Sequence, residues 1–185
     1  LIKFVVSLSK KFVLLSLRII IGGEWYARKI GVKLGSNCRI YTQNFGSEPF
    51  LITIGDRVTI TSGVKILTHD GSTWLVRDGS GVRYQKYAPV TIGNDVFIGV
   101  NSIIMPGVSV GNRVIIGAGS VVTKSVPDNT VVAGTPARFI MDFDSYEKKI
   151  KEVCVLDNEL SHVKNYKDRV FLALRLQTEK RKLDS

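Results

Sequence analysis

From Ile92 the chain reads IGNDVF IGVNSI IMPGVS VGNRVI IGAGSV VTKSVP, six consecutive hexads that each open on an aliphatic residue, at Ile92, Ile98, Ile104, Val110, Ile116 and Val122. The second position is glycine in four of the six, and the fifth is always small or β-branched: Val96, Ser102, Val108, Val114, Ser120 and Val126. A period of six fits neither a helix of about 3.6 residues per turn nor a two-residue alternation closed by hairpins. It fits short, flat strands separated by tight corners, in which positions one and five face the same side. Glycine at position two is expected to supply the positive φ of the corner. Three hexads close one coil, and coils stacked about 4.8 Å apart share a column of aliphatic side chains. Val and Ile suit that column because they are stiff at χ1 and β-favouring.

The same template fits IGDRVT ITSGVK ILTHDG from Ile54 and, more loosely, LGSNCR IYTQNF from Leu34. Whole coils are expected over 54–71, 92–109 and 110–127, with a partial coil before them and GSTWLVRDGSGVRYQKYAP, 71–89, as a loop thrown out between coils. Over residues 30–140 this pattern strongly resembles the hexapeptide-repeat acyltransferase family. The resemblance implies a mainly β fold, a left-handed parallel β-helix, and the hand comes from the family alone, since the general rule for parallel crossovers points the other way. It also implies a homotrimer with acetyl-CoA, as acyl donor, lying in a groove between adjacent subunits. Residues 1–29 read as an N-terminal amphipathic helical segment, 30–140 as the β-helix domain and 141–185 as a charged helical tail.

Within LIKFVVSLSKKFVLLSLRIII, residues 1–21, a helical projection gathers Lys3, Ser7, Lys10, Lys11 and Arg18 on one polar arc. Four charges in this stretch argue against a spanning helix, and the lack of a following small-residue cleavage site argues against a secretory signal. Two readings remain open: a helix lying on an anionic membrane face, or one packed on a partner subunit. The formal net charge of +10 points to an anionic partner, such as nucleic acid, an acidic membrane or a phosphorylated cofactor. Lysines and arginines concentrate at both ends of the chain, while the middle is close to neutral and has no aromatic-basic interleaving, which speaks against nucleic acid. Cys38 and Cys154 form no CxxC, so neither a disulfide framework nor a zinc site is supported, and a cytoplasmic location is expected, with contact at the inner membrane face left open.

Acyl transfer from a thioester needs a base for the nucleophile, donors for the oxyanion and room for a long phosphorylated carrier. His69, in ILTHDG, has a parity opposite to the inward positions and stands where the chain leaves the coil, the place where the family carries its catalytic histidine. Asp70 is the candidate supporting acid, although as its neighbour on a strand it faces the opposite side; it either bonds the corner backbone or turns to the same site if the coil breaks. Asp56 and Glu48 are weaker candidates for that role. His162 reads as a residue of a surface helix and Cys38 as a small inward residue. By the family resemblance, the pantetheine arm should pass Gly99, Val100, Gly117 and Ala118, then Thr123 and Lys124, with Lys124 and Arg138 suited to the phosphates. Asn44, Trp74 and Tyr84 are candidate acceptor contacts.

The favoured reading is an acetyl-CoA-dependent O-acetyltransferase acting on a sugar hydroxyl of a surface polysaccharide or its precursor, with His69 as base and direct attack on the thioester. N-acetylation of an amino sugar or of an antibiotic uses the same repeat, and a non-catalytic β-helix scaffold is the alternative of another class. A zinc hydratase on this fold would need about three histidines per site, and the chain has two. No metal is expected, and no phosphate-binding glycine loop of a nucleotidyltransferase precedes the repeats.

Overall fold

The computed structural model describes residues 21–183, so the amphipathic reading of residues 1–21 falls, but for Ile21, outside the described residues. The first unit ends at Met141 and the second begins at Asp142. In the first, helix α1 (Gly23–Lys29) sits against the opening coil. Its Ala27 is fully buried, and the Arg28 guanidinium donates to the carbonyls of Leu34 and Gly35, covering acceptors that a first coil would leave open. A side chain at Gly23 would strike the Ile40 carbonyl, its Cβ falling 1.8 Å from the oxygen, so the helix approaches this closely only with glycine there.

Three sheets follow. The first carries β1 (Lys33–Leu34), β3 (Ile52–Ile54), β6 (Val90–Ile92) and β9 (Ser109–Val110). The second carries β2 (Arg39–Ile40), β4 (Thr59–Ile60), β7 (Phe97–Ile98), β10 (Ile115–Ile116), β12 (Thr130–Gly134) and β13 (Ala137–Asp142). The third carries β5 (Lys65–Ile66), β8 (Ile103–Ile104) and β11 (Val121–Val122). Pairing between successive coils is parallel, and Thr91 meets Ser109, Phe97 meets Ile115 and Ile103 meets Val121, an offset of 18 residues on every face. The closing coil is two residues shorter, with Ile115 opposite Val131.

The inward column is the one read from the repeat. Ile60, Ile66, Ile98, Ile104 and Ile116 are fully buried, and Val58, Val64 and Val114 pack between them. Burying each such side chain contributes about 1.5–3 kcal/mol. The inward serines are satisfied, Ser102 and Ser120 both donating to the Gly117 carbonyl at 3.0 and 2.6 Å. At the corner between the first and second sheets a side-chain ladder adds to the stack. Asp56 accepts from Ser36 N–H, Asn94 from Asp56, Asn112 from Asn94 and Asp128 from Asn112, all within 2.7–2.8 Å. The Asn112 backbone N–H is the main reason the Asp128 carboxyl lies below the usual range, with the Asn112 side chain second.

The corner expectation needs correction. Positive φ falls at the fourth position of the hexads, at Asn37, Arg57, Asp95, Asn101 and Arg113 and at Gly63, Gly107 and Gly119. Position-two glycines are required for another reason. A Cβ on Gly99 would stand 2.4 Å from Ala118 N and one on Gly111 would stand 2.2 Å from Asp128 Oδ1, so these sites are glycine because the next coil lies on top of them.

The second unit contains α2 (Phe143–Val153), capped by the Asp142 carboxylate accepting from Ser145 N–H, then α3 (Asp157–Leu160) and α4 (Tyr166–Leu183). Lys180 of α4 donates to the Cys154 carbonyl at 2.8 Å. No described helix is long and apolar enough to cross a membrane. Ile98→Ala, which empties the centre of the column, is expected to cost about 2–5 kcal/mol, whereas Thr53→Ala on the outer face should cost less than about 1 kcal/mol. Urea-denaturation midpoints of the two variants check the contrast.

Candidate active site

His69 stands at the fourth position of its hexad, the corner position that takes a left-handed backbone in the hexads from Ile54, Ile60, Ile92, Ile98, Ile104, Val110 and Ile116. His69 does not take it. The strand instead runs straight on, keeps its alternation and leaves the coil, so that Ile66 and Thr68 are buried while Lys65 and His69 are exposed. The loop then returns along the same strand: Asp70 N–H donates to Lys86 O at 3.0 Å, Ala88 N–H donates to Thr68 O at 2.9 Å, and His69 forms an antiparallel bridge with Tyr87.

The coil below departs from the repeat at the same corner. Asn44 pairs with Lys65, an offset of 21 residues, and a 3-10 turn at Pro49–Leu51 takes up the extra residues before β3. Carrying that offset along the strand brings residue 48 to residue 69. The Glu48 carboxylate oxygen Oε2 accepts from His69 Nδ1 at 2.9 Å and from Thr68 Oγ1 at 2.6 Å. A carboxylate only accepts, so Nδ1 carries a proton, and in the neutral ring the lone pair is then on Nε2. The His69 side chain is 42% exposed and that of Glu48 17%, an accessible ring held by a mostly covered acid. The Glu48 carboxyl lies below the usual range, first through the Thr68 hydroxyl and then through His69. The Tyr87 ring stands edge-on to the imidazole, centroids 6.2 Å apart.

The acid beside the imidazole is therefore Glu48, and Asp70 is engaged elsewhere. Its carboxylate accepts from Ser72 N–H at 3.1 Å and Ser72 Oγ at 2.6 Å, capping the turn Gly71–Leu75, and lies 3.5 Å from Lys86 Nζ. Those Ser72 bonds are the chief cause of its lowered pKa. Asp56 belongs to the ladder at another corner. His162 is exposed in the second unit, and Cys38 is buried with its thiol pushed up by that burial.

Among the acceptor candidates, Asn44 lines a cavity of about 280 Å3 with Gln43, Gly46, Lys65 and Leu67, on the strand face that leads to His69. Trp74 and Tyr84 lie out in the loop, more than half exposed. The Arg77 and Arg83 guanidinium carbons stand 5.0 and 5.1 Å from the centroid of the Trp74 ring. Asn44 and the two aromatics thus belong to separate parts of the structure, the coil and the loop.

The proposed carrier contacts fall into two groups. Gly99, Val100, Gly117 and Ala118 stack at the corner between the second and third sheets, with Gly119 N–H donating to Val100 O at 2.8 Å. Thr123 and Lys124, both exposed, follow β11 on the edge that carries His69, two coils further along. Lys124 and Arg138 line a cavity of about 350 Å3 with Ser125, Thr130 and Phe139. Among the described residues no group of three or more His, Cys, Asp or Glu is placed to hold a metal ion.

Residues 89–124 match a family model described as the hexapeptide repeat of succinyl-transferase. Protein CapG of Staphylococcus aureus is 56% identical over 128 residues, covering 68% of this chain and 74% of CapG. The galactoside O-acetyltransferase of Escherichia coli is 36% identical over 132 residues, covering 67% of this chain and 63%, just under two thirds, of that protein. Among solved structures, a galactoside acetyltransferase in complex with coenzyme A superposes with a TM-score of 0.54 at 28% identity, over 68% of this chain and 72% of its own. A hexapeptide-repeat acetyltransferase of Vibrio cholerae complexed with acetyl coenzyme A gives 0.53 at 31% identity, over 61% of each chain. With the repeat and its coils observed, and with CapG matched over most of its length, the chain belongs to the hexapeptide-repeat acyltransferase family.

Proposed function

We propose that the protein is an acetyl-CoA-dependent O-acetyltransferase acting on a sugar hydroxyl of a surface polysaccharide or its precursor. The observation that carries this reading is the Glu48–His69 pair at the corner where the coil opens into its loop. Similarity to a galactoside O-acetyltransferase supports the hydroxyl acceptor, and the coenzyme A complexes of the two superposed structures support the donor. In this reading residues 30–140 form the transferase domain, its coil is left-handed, and 71–89 is the wall of the acceptor site.

Glu48 holds the imidazole with Nδ1 protonated, leaving Nε2 free to take the proton of the acceptor hydroxyl. The hydroxyl oxygen attacks the thioester carbonyl, forming the C–O bond, and a backbone N–H stabilises the tetrahedral oxyanion. Collapse breaks the C–S bond, and the imidazolium returns its proton to the leaving thiolate. Within one chain His69 and the Gly99–Ala118 corner stand on different edges of the coil. A trimer brings the His69 edge of one copy to the Gly99 edge of the next and forms the groove between them. Exposed Phe97 and Val100 on and beside the second sheet are apolar surface suited to such contact.

His69→Ala is expected to lower acetyl transfer, followed as coenzyme A thiol released in the presence of sugar acceptors, by at least about 100-fold; full turnover in that variant would remove His69 as the base. Glu48→Gln should lower kcat by about 10-fold or more. It should also change the acid stability in a defined direction. A carboxyl held below its unfolded value contributes stability that is complete above that value and is lost as pH falls through the native one. The melting-temperature advantage of the native protein over Glu48→Gln should therefore be present at pH 6 and shrink progressively as pH falls below 4.5. Thermal denaturation across that range measures it.

A further inference from the structure

The break in the repeat at His69 buries a side chain that the hexads turning at their fourth residue leave outside. In the hexads from Ile54, Ile60, Ile92, Ile98, Ile104, Val110 and Ile116, the third residue is exposed or half-buried, because the chain turns at the fourth. In the hexad from Ile66 the strand runs straight, and the third residue, Thr68, is fully buried. Its hydroxyl is spent on one partner, Glu48 Oε2, at 2.6 Å. That oxygen is also the one that accepts from His69 Nδ1. The segment bearing Glu48 comes close enough for this at Gly46, which has φ +65°. A Cβ there would stand 3.2 Å from Thr68 Oγ1 and 3.0 Å from Ile66 O.

We propose that Thr68 is a positioning residue for the transferase reaction: from inside the coil its hydroxyl fixes the Glu48 carboxylate, and through it the Nδ1-protonated tautomer and the orientation of His69. This rests on the reading of His69 as base. The physical requirements are met on each side. Threonine is β-branched and stiff at χ1, so a buried Thr68 presents its proton in one direction. A carboxylate oxygen accepts two donors, one from the interior and one from the surface, and each restrains the other. The Thr68 carbonyl separately accepts from Ala88 N–H and holds the returning loop, a backbone bond that substitution of the side chain leaves in place. Valine has nearly the same shape, so Thr68→Val removes the hydroxyl and little else.

The test uses the full chain, uniformly labelled with 15N, in two arms. In the first, long-range 1H–15N spectra at pH 8 report the ring tautomer, and His162, the chain's other histidine, serves as the internal control. Native protein and Thr68→Ser should show His69 protonated at Nδ1 alone, and Thr68→Val should show a mixture with the Nε2-protonated form. In the second, Thr68→Val should lower kcat about tenfold, the size expected for one lost hydrogen bond to a charged group. The KM for acetyl-CoA should stay unchanged, and Thr68→Ser should restore the rate. On a Glu48→Gln background Thr68→Val should add no further loss, because its effect passes through Glu48. An unchanged tautomer in Thr68→Val, or a tenfold loss that persists in the Glu48→Gln background, overturns the proposal. Thr68→Ala carries the same comparison if Thr68→Val fails to fold. Absence of acetyl transfer in the native protein counts against the transferase reading, and the tautomer spectra judge Thr68 independently of it.

Discussion

Each face of the coil is a ladder in which an amide of one turn donates to a carbonyl of the next, as Gly93 N–H does to Val110 O, Phe97 N–H to Val114 O and Ile103 N–H to Ser120 O. Three such ladders run side by side on a single chain, so a change in the length of a coil is taken up at a corner, as in the closing coil, which is two residues shorter yet still paired. Extra residues can leave only at a corner. The same stacking brings the inward isoleucines into one column and presses Gly99 and Gly111 against the coil above.

This constraint also explains how the site is built. The coil containing Asn44 and the coil containing Lys65 both depart from the repeat after the third face, the first by a short 3-10 turn and the second by the long loop. Departures at the same corner of stacked coils must lie over each other, and in doing so they bring together Glu48 and His69, 21 positions apart in sequence. A carboxylate shared between a buried hydroxyl and an exposed imidazole is the consequence.

The repeat itself was legible because aliphatic residues at a period of six have few other uses, and the place where register is lost, at His69, was visible for the same reason. The identity of the acid was not. Asp70 adjoins His69 in sequence, but alternation along the strand turns its carboxylate to the Ser72 turn. Glu48 lies in a stretch that fits no hexad, so periodicity assigns it no direction, and only the offset between coils places it. The corner chemistry is hidden in the sequence for a related reason. Glycine at position two suggested a conformational need, whereas asparagine, aspartate and glycine at position four, as in Asp95, Asn101 and Gly107, carried the left-handed signal. Periodicity gives Lys124 and Arg138 no common role; only the fold brings them to one cavity.

In the proposed reaction the base belongs to one edge of the coil and the small-residue corner at Gly99 and Ala118 to another, so neither copy alone holds both walls of the carrier groove. A crystal structure with coenzyme A bound measures this directly. The thiol sulfur is expected within about 5 Å of His69 Nε2, the reach of a hydrogen bond or of one bridging atom, with the pantetheine arm along the Gly99–Ala118 corner of the neighbouring copy. Coenzyme A bound with its sulfur more than about 10 Å from Nε2, beyond any proton transfer, would contradict the assignment of the Glu48–His69 corner as the reacting centre.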